Sequence, residues 1–348
     1  MPTRKVAVAL SGGLDSSVAA LLLREGADQV IGIHGRLWDS HDFDYQAHRA
    51  KDICRILDIP YHEADLRKEF ASRVVDYFCQ EYQRGRTPNP CVVCNQCIKF
   101  GSLLDKALSL GVDYLATGHY SRVVHSCDGY HLLKATDSGR DQSYFLYTLT
   151  QERLGHVLFP TGEHSRDQAK QMAKQAGLPI ATRSSQDICF ISQKNYGAFL
   201  SQRFGTLPGD IVDTLGRRLG EHRGIAFSTI GQRHGLGLAS GKPLYVVKIE
   251  PESNRIVLAP EDELYSQKLT VCKLNWVSGK VPCGPTMVRA RIRYRSKEAQ
   301  ATVSVRDGSA DVQFAQPQKA VTPGQAIVFY NVDEVLGGGI IDQVQTQK

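Results

Sequence analysis

The stretch KVAVALSGGLDSS, residues 5–17, decides the fold of this chain. Its first part, Lys5–Leu10, is a nearly continuous apolar run, which is typical of a strand buried on both faces of a parallel sheet. Ser16–Arg24 then has the pattern of a helix that ends at Gly26. Between the two, paired glycines and serines direct N–H and O–H donors to one point at a helix N-terminus, where anions bind. The segment therefore predicts a phosphate loop, and Asp15 beside it indicates a bridging Mg²⁺ ion.

Alternating strand and helix patterns continue outward from this loop. A second strand is predicted at Gln29–Leu37 and a later one at Val112–Gly118, with helices between them. This alternation predicts an α/β domain with a parallel sheet, which we place at residues 1–204. From about Gly205 the chain becomes rich in Gly and Pro, and short β-type segments follow. We expect a small mixed or β central domain at residues 205–265 and a C-terminal β-barrel at 266–348.

Composition excludes several classes of protein. The chain has 348 residues, 9 Cys and a formal net charge of +6. Its cysteine content is far below that of a disulfide scaffold, and no apolar run approaches the ~18 residues of a membrane span. We therefore expect a cytoplasmic protein with reduced thiols.

Other nucleotide loops do not match the sequence. A Walker A motif requires Gly-Lys-Ser/Thr, whereas both Gly-Lys pairs, at 241–242 and 279–280, are followed by Pro243 and Val281. The G-x-G-x-x-G fingerprint of dinucleotide-binding proteins is also absent from the sequence. An ordinary strand–turn–helix with an N-cap is the remaining alternative.

The segment TPNPCVVCNQC, residues 87–97, holds three of the nine cysteines. Pro88 and Pro90 keep the chain extended, and Cys91 and Cys94 then stand at a predicted helix entrance, where the dipole favours thiolate. Structural zinc and ferredoxin-type sites lack a fourth ligand at the required spacing, and a zinc deaminase lacks its H-x-E partner. Redox or sulfur-transfer chemistry remains, beside the alternative of inert buried thiols.

Further motifs identify a family that this chain resembles. They are Thr117–Tyr120 (TGHY), Arg140–Leu146 (RDQSYFL), Ser184–Ile191 (SSQDICFI), Pro323–Gln325 (PGQ) and Leu336–Gly339 (LGGG). SGGLDSS resembles the loop of the PP-loop ATP pyrophosphatases, and all of these motifs together resemble the bacterial tRNA-specific 2-thiouridylases along nearly the whole chain. The resemblance implies adenylation of the C2 oxygen of the wobble uridine in tRNAs of the Lys, Glu and Gln types, followed by sulfur transfer, with release of AMP and pyrophosphate.

The resemblance also assigns residues. ATP would be bound by Ala9, Leu10, Ser11, Gly12, Gly13, Leu14, Asp15 and Ser16, together with Gly35 and Gly118. Cys189 would carry a persulfide supplied by a cysteine desulfurase or a sulfur-relay protein, and Cys94 would be the nucleophile that forms a disulfide with it after transfer. Asn89, Pro90 and residue 91 would face the target base. His119, Arg140, Asp141, Gln142, Tyr294, Arg295 and Gln325 would contact tRNA.

Residue 91 departs from the family pattern, because many relatives carry Asp where this chain has Cys91. A thiol does not replace a carboxylate as a base at neutral pH. Cys91, Cys94 and Cys189 would instead suffice to hold a [4Fe–4S] cluster with one open iron. Persulfide and cluster mechanisms both remain open at this point.

Five cations alternate along one predicted strand, Met287–Tyr294 and its extension: Arg289, Arg291, Arg293, Arg295 and Lys297. Side chains two residues apart share a face of a strand, so we expect a basic stripe that follows an RNA backbone, with Arg291 and Arg293 at its centre. The alternative is a solvated edge strand protected by its charge.

Overall fold

The computed structural model describes residues 4–26, 29–179, 188–191, 196–238 and 242–346. Its strands are β1 Lys5–Ala9, β2 Gln29–Arg36, β3 Tyr61–Asp65, β4 Tyr114–Ala116, β5 Ser121–Ser126, β6 Gly129–Lys134, β7 Val157–Leu158, β8 Gly209–Asp213, β9 Arg218–His222, β10 Tyr245–Glu250, β11 Arg255–Ala259, β12 Tyr265–Trp276, β13 Thr286–Arg291, β14 Ala299–Arg306, β15 Ser309–Lys319, β16 Ala326–Asn331 and β17 Glu334–Thr346.

The α-helices are α1 Leu14–Glu25, α2 His41–Leu57, α3 Arg67–Phe70, α4 Asp76–Gln83, α5 Pro90–Cys94, α6 Leu104–Ser109, α7 Gln151–Leu154, α8 Arg166–Gln175 and α9 Tyr196–Phe204. Two π-helical segments, Ala71–Val75 and Asn95–Leu103, join α3 to α4 and α5 to α6. No helix in the described ranges is long and apolar enough to cross a membrane.

A parallel sheet forms the N-terminal domain, as the alternation of elements predicts. Its strand order is β3-β2-β1-β4-β7, and every pairing in it is parallel. The apolar run of β1 is covered on both sides, so that Val6, Ala7 and Val8 have no exposed surface. The chain leaves β1 towards β2 on one side and later returns to β4 on the other. This change of direction opens a crevice at the carboxyl ends of β1 and β4, where ligands bind in such sheets.

Two β structures follow. The central one is a four-stranded sheet of order β10-β11-β8-β9, built on buried Ile211, Val246 and Ile256. The C-terminal one closes into a six-stranded barrel, β12-β15-β14-β13-β16-β17, because β12 also pairs with β17. The predicted fold class is confirmed by these three parts.

The N-terminal domain also sends a hairpin to the barrel. Strands β5 and β6 pair with each other, and Leu133 of β6 pairs with Glu334 of β17. The sheet of the barrel is thereby extended by residues that lie far away in the sequence.

The predicted strand at Met287–Tyr294 is too long. Strand β13 ends at Arg291, and residues 293–296 form a turn that Ser296 closes, since its backbone N–H and its hydroxyl both donate to the carbonyl of Arg293. Cations beyond Arg291 therefore do not continue on one strand face. The prediction of a five-residue basic stripe is wrong for this reason.

Candidate active site

The phosphate loop lies at the carboxyl end of β1. Gly12 has a φ of +69°, and a Cβ there would lie 2.8 Å from the carbonyl oxygen of Gln46, so the position requires glycine. Gly13 precedes α1 in an extended conformation, and no side chain caps the helix. The first N–H groups of α1 are therefore available to an anion, as the sequence predicts.

Gly118 brings the end of β4 against this loop. A Cβ at Gly118 would lie 2.4 Å from the backbone carbon of Asp15. Gly35 lies near the carboxyl end of β2, in the same row of strand ends. The predicted nucleotide residues Ala9 to Ser16, Gly35 and Gly118 are thus brought to one edge of the sheet. This edge fits ATP, because it offers unpaired amides beside close backbone contacts.

Asp15 is already paired in this site. Arg166, the first residue of α8, donates from Nη1 to both Asp15 carboxylate oxygens, at 2.8 and 2.7 Å. The hydroxyl of Tyr120 donates to the same carboxylate at 2.9 Å. The structure therefore does not present Asp15 as a free ligand for the predicted Mg²⁺ ion, which would have to displace the Arg166 contact.

The cysteine segment starts a helix, as predicted. Asn89 is the N-cap of α5, and its side-chain oxygen accepts a hydrogen bond from the Val92 N–H at 3.3 Å. Pro90 is buried at the first helical position, which suits its fixed φ. Cys91 is exposed whereas Cys94 is buried, so of the three residues expected to face the target base, residue 91 is the most accessible.

The expected lowering of the thiol pKa by the helix entrance is wrong. Loss of hydration raises the pKa of Cys94 to about 12, and the neighbouring thiols add to that shift. Desolvation also raises the pKa of Cys91 and brings the pKa of Cys189 to about 11, although both side chains reach solvent. Loss of hydration is the largest cause of the raised pKa at all three cysteines.

The thiols at 94 and 189 are brought together even though 95 positions separate them. Cys189 raises the pKa of Cys94, and Cys91 raises the pKa of Cys189, so the three groups interact electrostatically. All nine cysteines are free in the structure. Within the ranges that the structure describes, no three His, Cys, Asp or Glu side chains are grouped as a metal site. The [4Fe–4S] cluster at Cys91, Cys94 and Cys189 therefore stays a prediction.

Lys99 is the cation of this region, and sequence reasoning missed it. Its charge lowers the pKa of Cys91, Cys94 and Cys189, against the larger effect of desolvation. Its Nζ lies 3.4 Å from Nε2 of His119, whose Nδ1 lies 2.7 Å from the hydroxyl of Thr117. Thr117 precedes Gly118, so this contact chain connects the cysteine helix to the phosphate loop.

Phe190 anchors Cys189. Its ring is buried among four aromatic rings, with centroid distances of 6.2 Å to Trp38, 5.7 Å to Phe70, and 5.4 Å to both Phe78 and Phe199. The exposed thiol is therefore held by a buried neighbour. The other residues of the SSQDICFI motif, Ser184 to Asp187, lie outside the described residues.

The two arginines expected at the centre of the RNA stripe have internal partners. Arg291 pairs with Glu298 at 2.9 Å and with Asp141 at 3.6 Å. Arg293 donates to the Thr322 hydroxyl at 2.6 Å and to the Ala320 carbonyl. Arg291 therefore links the barrel to the N-terminal domain and Arg293 stabilises the barrel, while their contact with tRNA stays a prediction.

Other residues expected to contact tRNA are also engaged inside the protein. Asp141 is 4% exposed and accepts hydrogen bonds from the Ser143 N–H and hydroxyl, and His119 is 9% exposed. Gln142 accepts from the Tyr120 N–H. Arg140 is half-buried, while Arg295 is exposed. The structure thus gives Asp141 and His119 internal positions in place of surface ones.

Two further residues connect the barrel to this site. Tyr294 packs on Phe145, with ring centroids 4.5 Å apart, and the carbonyl of Phe145 accepts a hydrogen bond from Asn95, the neighbour of Cys94. Gln325 donates to the carbonyl of Thr87 at 2.9 Å.

Two residues of the site, Arg166 and Lys99, were not predicted from the sequence, and the sequence marks them unequally. Arg166 follows the capping box of Ser165 and Gln168, so a helix start is evident there, but its pairing with Asp15 is not. Lys99 has no signal in a single sequence beyond its distance from Cys94 along a helix.

Three family models match the chain. They are a tRNA methyl transferase HUP domain over residues 4–193, a tRNA methyl transferase PRC-barrel domain over 197–260, and an aminomethyltransferase beta-barrel domain over 266–341. These ranges follow the same order as the parallel-sheet, central and barrel parts.

Curated relatives match along the whole length. The chain is 44% identical to the tRNA-specific 2-thiouridylase MnmA of Acetivibrio thermocellus, over 98% of this chain and 100% of that protein. It is 41% identical to the protein of the same name from Clostridium perfringens, over 99% and 100%. Among solved structures, the U34-tRNA thiolase NcsA from Methanococcus maripaludis with its [4Fe-4S] cluster is 21% identical, with a TM-score of 0.39, over 58% of this chain and 66% of that one.

Proposed function

The chain belongs to the family of tRNA-specific 2-thiouridylases, and on that premise we propose that it replaces the C2 oxygen of the wobble uridine of tRNA with sulfur at the expense of ATP. The observation that carries this proposal is the placement of Cys94 and Cys189 in one electrostatically coupled group, connected through Lys99 and His119 to an anion-binding loop. A small-molecule synthetase would need the loop but not the thiols.

The first step is adenylation. The C2 oxygen of the uridine attacks the α-phosphorus of ATP, and pyrophosphate leaves. The free amides at the start of α1 would hold the pyrophosphate, and Arg166 would be released from Asp15 to meet the added negative charge. The C2 oxygen then becomes part of AMP, which is a much better leaving group than a carbonyl oxygen.

Sulfur transfer follows. The terminal sulfur of a Cys189 persulfide attacks C2 and AMP leaves, so that C2 is joined to Cys189 through two sulfurs. The thiolate of Cys94 then attacks the Cys189 sulfur, which releases 2-thiouridine and leaves a Cys94–Cys189 disulfide. An external thiol reductant restores both cysteines, and a cysteine desulfurase or sulfur-relay protein reloads Cys189. The exposed position of Cys189 suits loading by a partner, and the buried position of Cys94 suits a resolving thiol.

The persulfide route is the one that this arrangement favours. Cys91 has a raised pKa and is no general base at neutral pH, and the three thiols are not grouped as cluster ligands among the described residues. Cys91 would accordingly act as a third thiol beside the target base. We also propose that the chain divides at residues 204 and 265, and that tRNAs of the Lys, Glu and Gln types are its substrates.

The decisive experiment supplies ATP, tRNA transcript, a cysteine desulfurase with free cysteine as the source of sulfane sulfur, and a thiol reductant, and measures pyrophosphate together with 2-thiouridine by nucleoside mass spectrometry. The wild-type protein should form both products, and pyrophosphate should require tRNA. Cys94→Ser and Cys189→Ser should lose 2-thiouridine but retain tRNA-dependent pyrophosphate release, because adenylation does not involve the thiols. Cys127→Ser, in an exposed turn, is the matched control.

Pyrophosphate release that does not depend on tRNA would favour a synthetase and contradict the proposal. An iron–sulfur absorption band after anaerobic reconstitution, lost together with thiolation in Cys91→Ser, would replace the persulfide route by a cluster route.

A further inference from the structure

All three parts of the molecule meet at the four residues that precede Asn89, the N-cap of the cysteine helix: Gly85–Pro88, which we call the junction segment. From the N-terminal domain, the buried carboxylate of Glu81 accepts a hydrogen bond from Nε of Arg86 at 2.9 Å. From the central part, Thr229 lies 3.4 Å from the Thr87 hydroxyl. Gly85 has a φ of +68°, and a Cβ there would lie 2.6 Å from Ile249.

The barrel makes the most contacts with the junction segment. The N–H of Thr87 donates to the carbonyl of Pro323 at 2.9 Å. Gln325 of the barrel adds two hydrogen bonds to the junction segment: its Nε2 donates to the carbonyl oxygens of Thr87 at 2.9 Å and of Pro88 at 3.4 Å. A Cβ at Gly324 would lie 2.9 Å from the Thr87 nitrogen, so the two backbones touch.

Arg86 of the junction segment forms ion pairs with both the N-terminal domain and the barrel. Its Nη1 donates to the Asp342 carboxylate at 3.0 Å, and its Nη2 donates to the carbonyl of Ile341 at 3.0 Å. With Glu81 on its third side, the half-buried guanidinium is held by one acid from the N-terminal domain and one from the barrel. Such a geometry fixes the position of the junction segment in three dimensions.

The position of the junction segment determines the position of the cysteines, because the backbone between them is restricted. Pro88 and Pro90 restrict the backbone on either side of Asn89, which caps α5. Cys91 and Cys94 follow within one helical turn. A displacement of Thr87 therefore moves Cys94, because the intervening residues have little freedom to absorb it.

We propose that the C-terminal barrel sets the position of the cysteine helix through the junction segment, and that Gln325 and Asp342 are positioning residues for sulfur transfer. This inference rests on the proposed function. It gives Gln325 a different role from the tRNA contact that the family resemblance implies, because both donor hydrogens of its amide are aimed at the junction carbonyls.

The test uses readouts that do not depend on thiolation. In the full-length protein, Gln325→Leu and Asp342→Asn should each raise amide hydrogen exchange at residues 89–94 and alkylation of Cys94 by iodoacetamide, by about tenfold, since two partly buried carbonyls or one ion pair lose their partner. Affinities for ATP and for tRNA should stay unchanged, while the kcat of thiolation falls. Gln316→Leu, at an exposed position of the same barrel, is the control.

Three outcomes separate the possibilities. Unchanged exchange and alkylation in both variants would overturn the positioning role. Lost tRNA affinity in Gln325→Leu with unchanged exchange would also overturn it, in favour of direct RNA contact. If wild-type protein forms no 2-thiouridine, the proposed function fails, whereas the exchange and alkylation results still decide whether the barrel positions the helix. Should Gln325→Leu not fold, Asp342→Asn decides by the same measurements.

Discussion

Replacement of Phe190 by Ala should free Cys189 from the environment that keeps it protonated. The Phe190 ring is 6% exposed and packs on four aromatic rings, while the adjacent Cys189 is exposed. Truncation of a buried Phe to Ala costs about 3–5 kcal/mol, which is enough to release a local segment. We therefore expect the variant to remain folded but to lose the fixed position of Cys189.

The size of the effect follows from the pKa of Cys189. Desolvation holds that pKa at about 11, against an ordinary value of 9.0. Removal of the shift raises the thiolate fraction near pH 8 by about 100-fold, because each pKa unit is a factor of ten. A less basic thiolate is also a weaker nucleophile, with a Brønsted coefficient of about 0.4–0.5, so the observed alkylation rate should rise by about tenfold.

The assay is iodoacetamide labelling between pH 7 and 10, with Cys189 followed by peptide mass spectrometry. In the wild-type protein the rate should keep rising throughout this range, since the thiolate is the reactive form and its pKa lies above it. In Phe190→Ala the rate should reach about half of its maximum near pH 9 and level off towards pH 10. Phe43→Ala, another buried Phe of the same domain, should lower Tm without any change in the Cys189 profile. A Phe190→Ala profile that superimposes on the wild-type profile would refute the reasoning.

Two other changes test the close contact of Gly118 with the phosphate loop and the internal role of Arg293. Gly118→Ala should weaken ATP binding by at least about tenfold in calorimetry, because its Cβ would lie 2.4 Å from the backbone of Asp15. Gly284→Ala is the control and should bind ATP normally, because its Cβ meets open space. Equal affinities of the two variants would contradict the proposed nucleotide site at the phosphate loop. Arg293→Glu should lower the free energy of unfolding by about 2–4 kcal/mol in urea titration, since it places a carboxylate against the Ala320 carbonyl and removes a half-buried donor. Arg289→Glu, an exposed neighbour, should change it by less than about 0.5 kcal/mol, and a similar small effect at both positions would show that Arg293 is not structural.

Local features were predictable from the sequence, because their cause lies within a few residues. The strand β1, the loop at Gly12 and Gly13, and the start of α1 follow from an apolar run, paired glycines and a helical pattern in direct succession. The helix entrance at Cys91 follows in the same way from Pro88 and Pro90, whereas the cap at Asn89 was not predicted. The resemblance to the thiouridylases added the pairing of Cys94 with Cys189, which no local pattern contains.

The tertiary structure alone decided how these parts act on one another. The alternation of cations from Arg289 to Lys297 predicts a common face, yet a turn closed by Ser296 ends the strand and turns Arg293 inward. A helix entrance predicts a lowered thiol pKa, yet burial of Cys94 reverses the shift. Hydration, charge pairing and close packing depend on atoms brought from distant parts of the chain, and their energies at short range exceed those of local preferences.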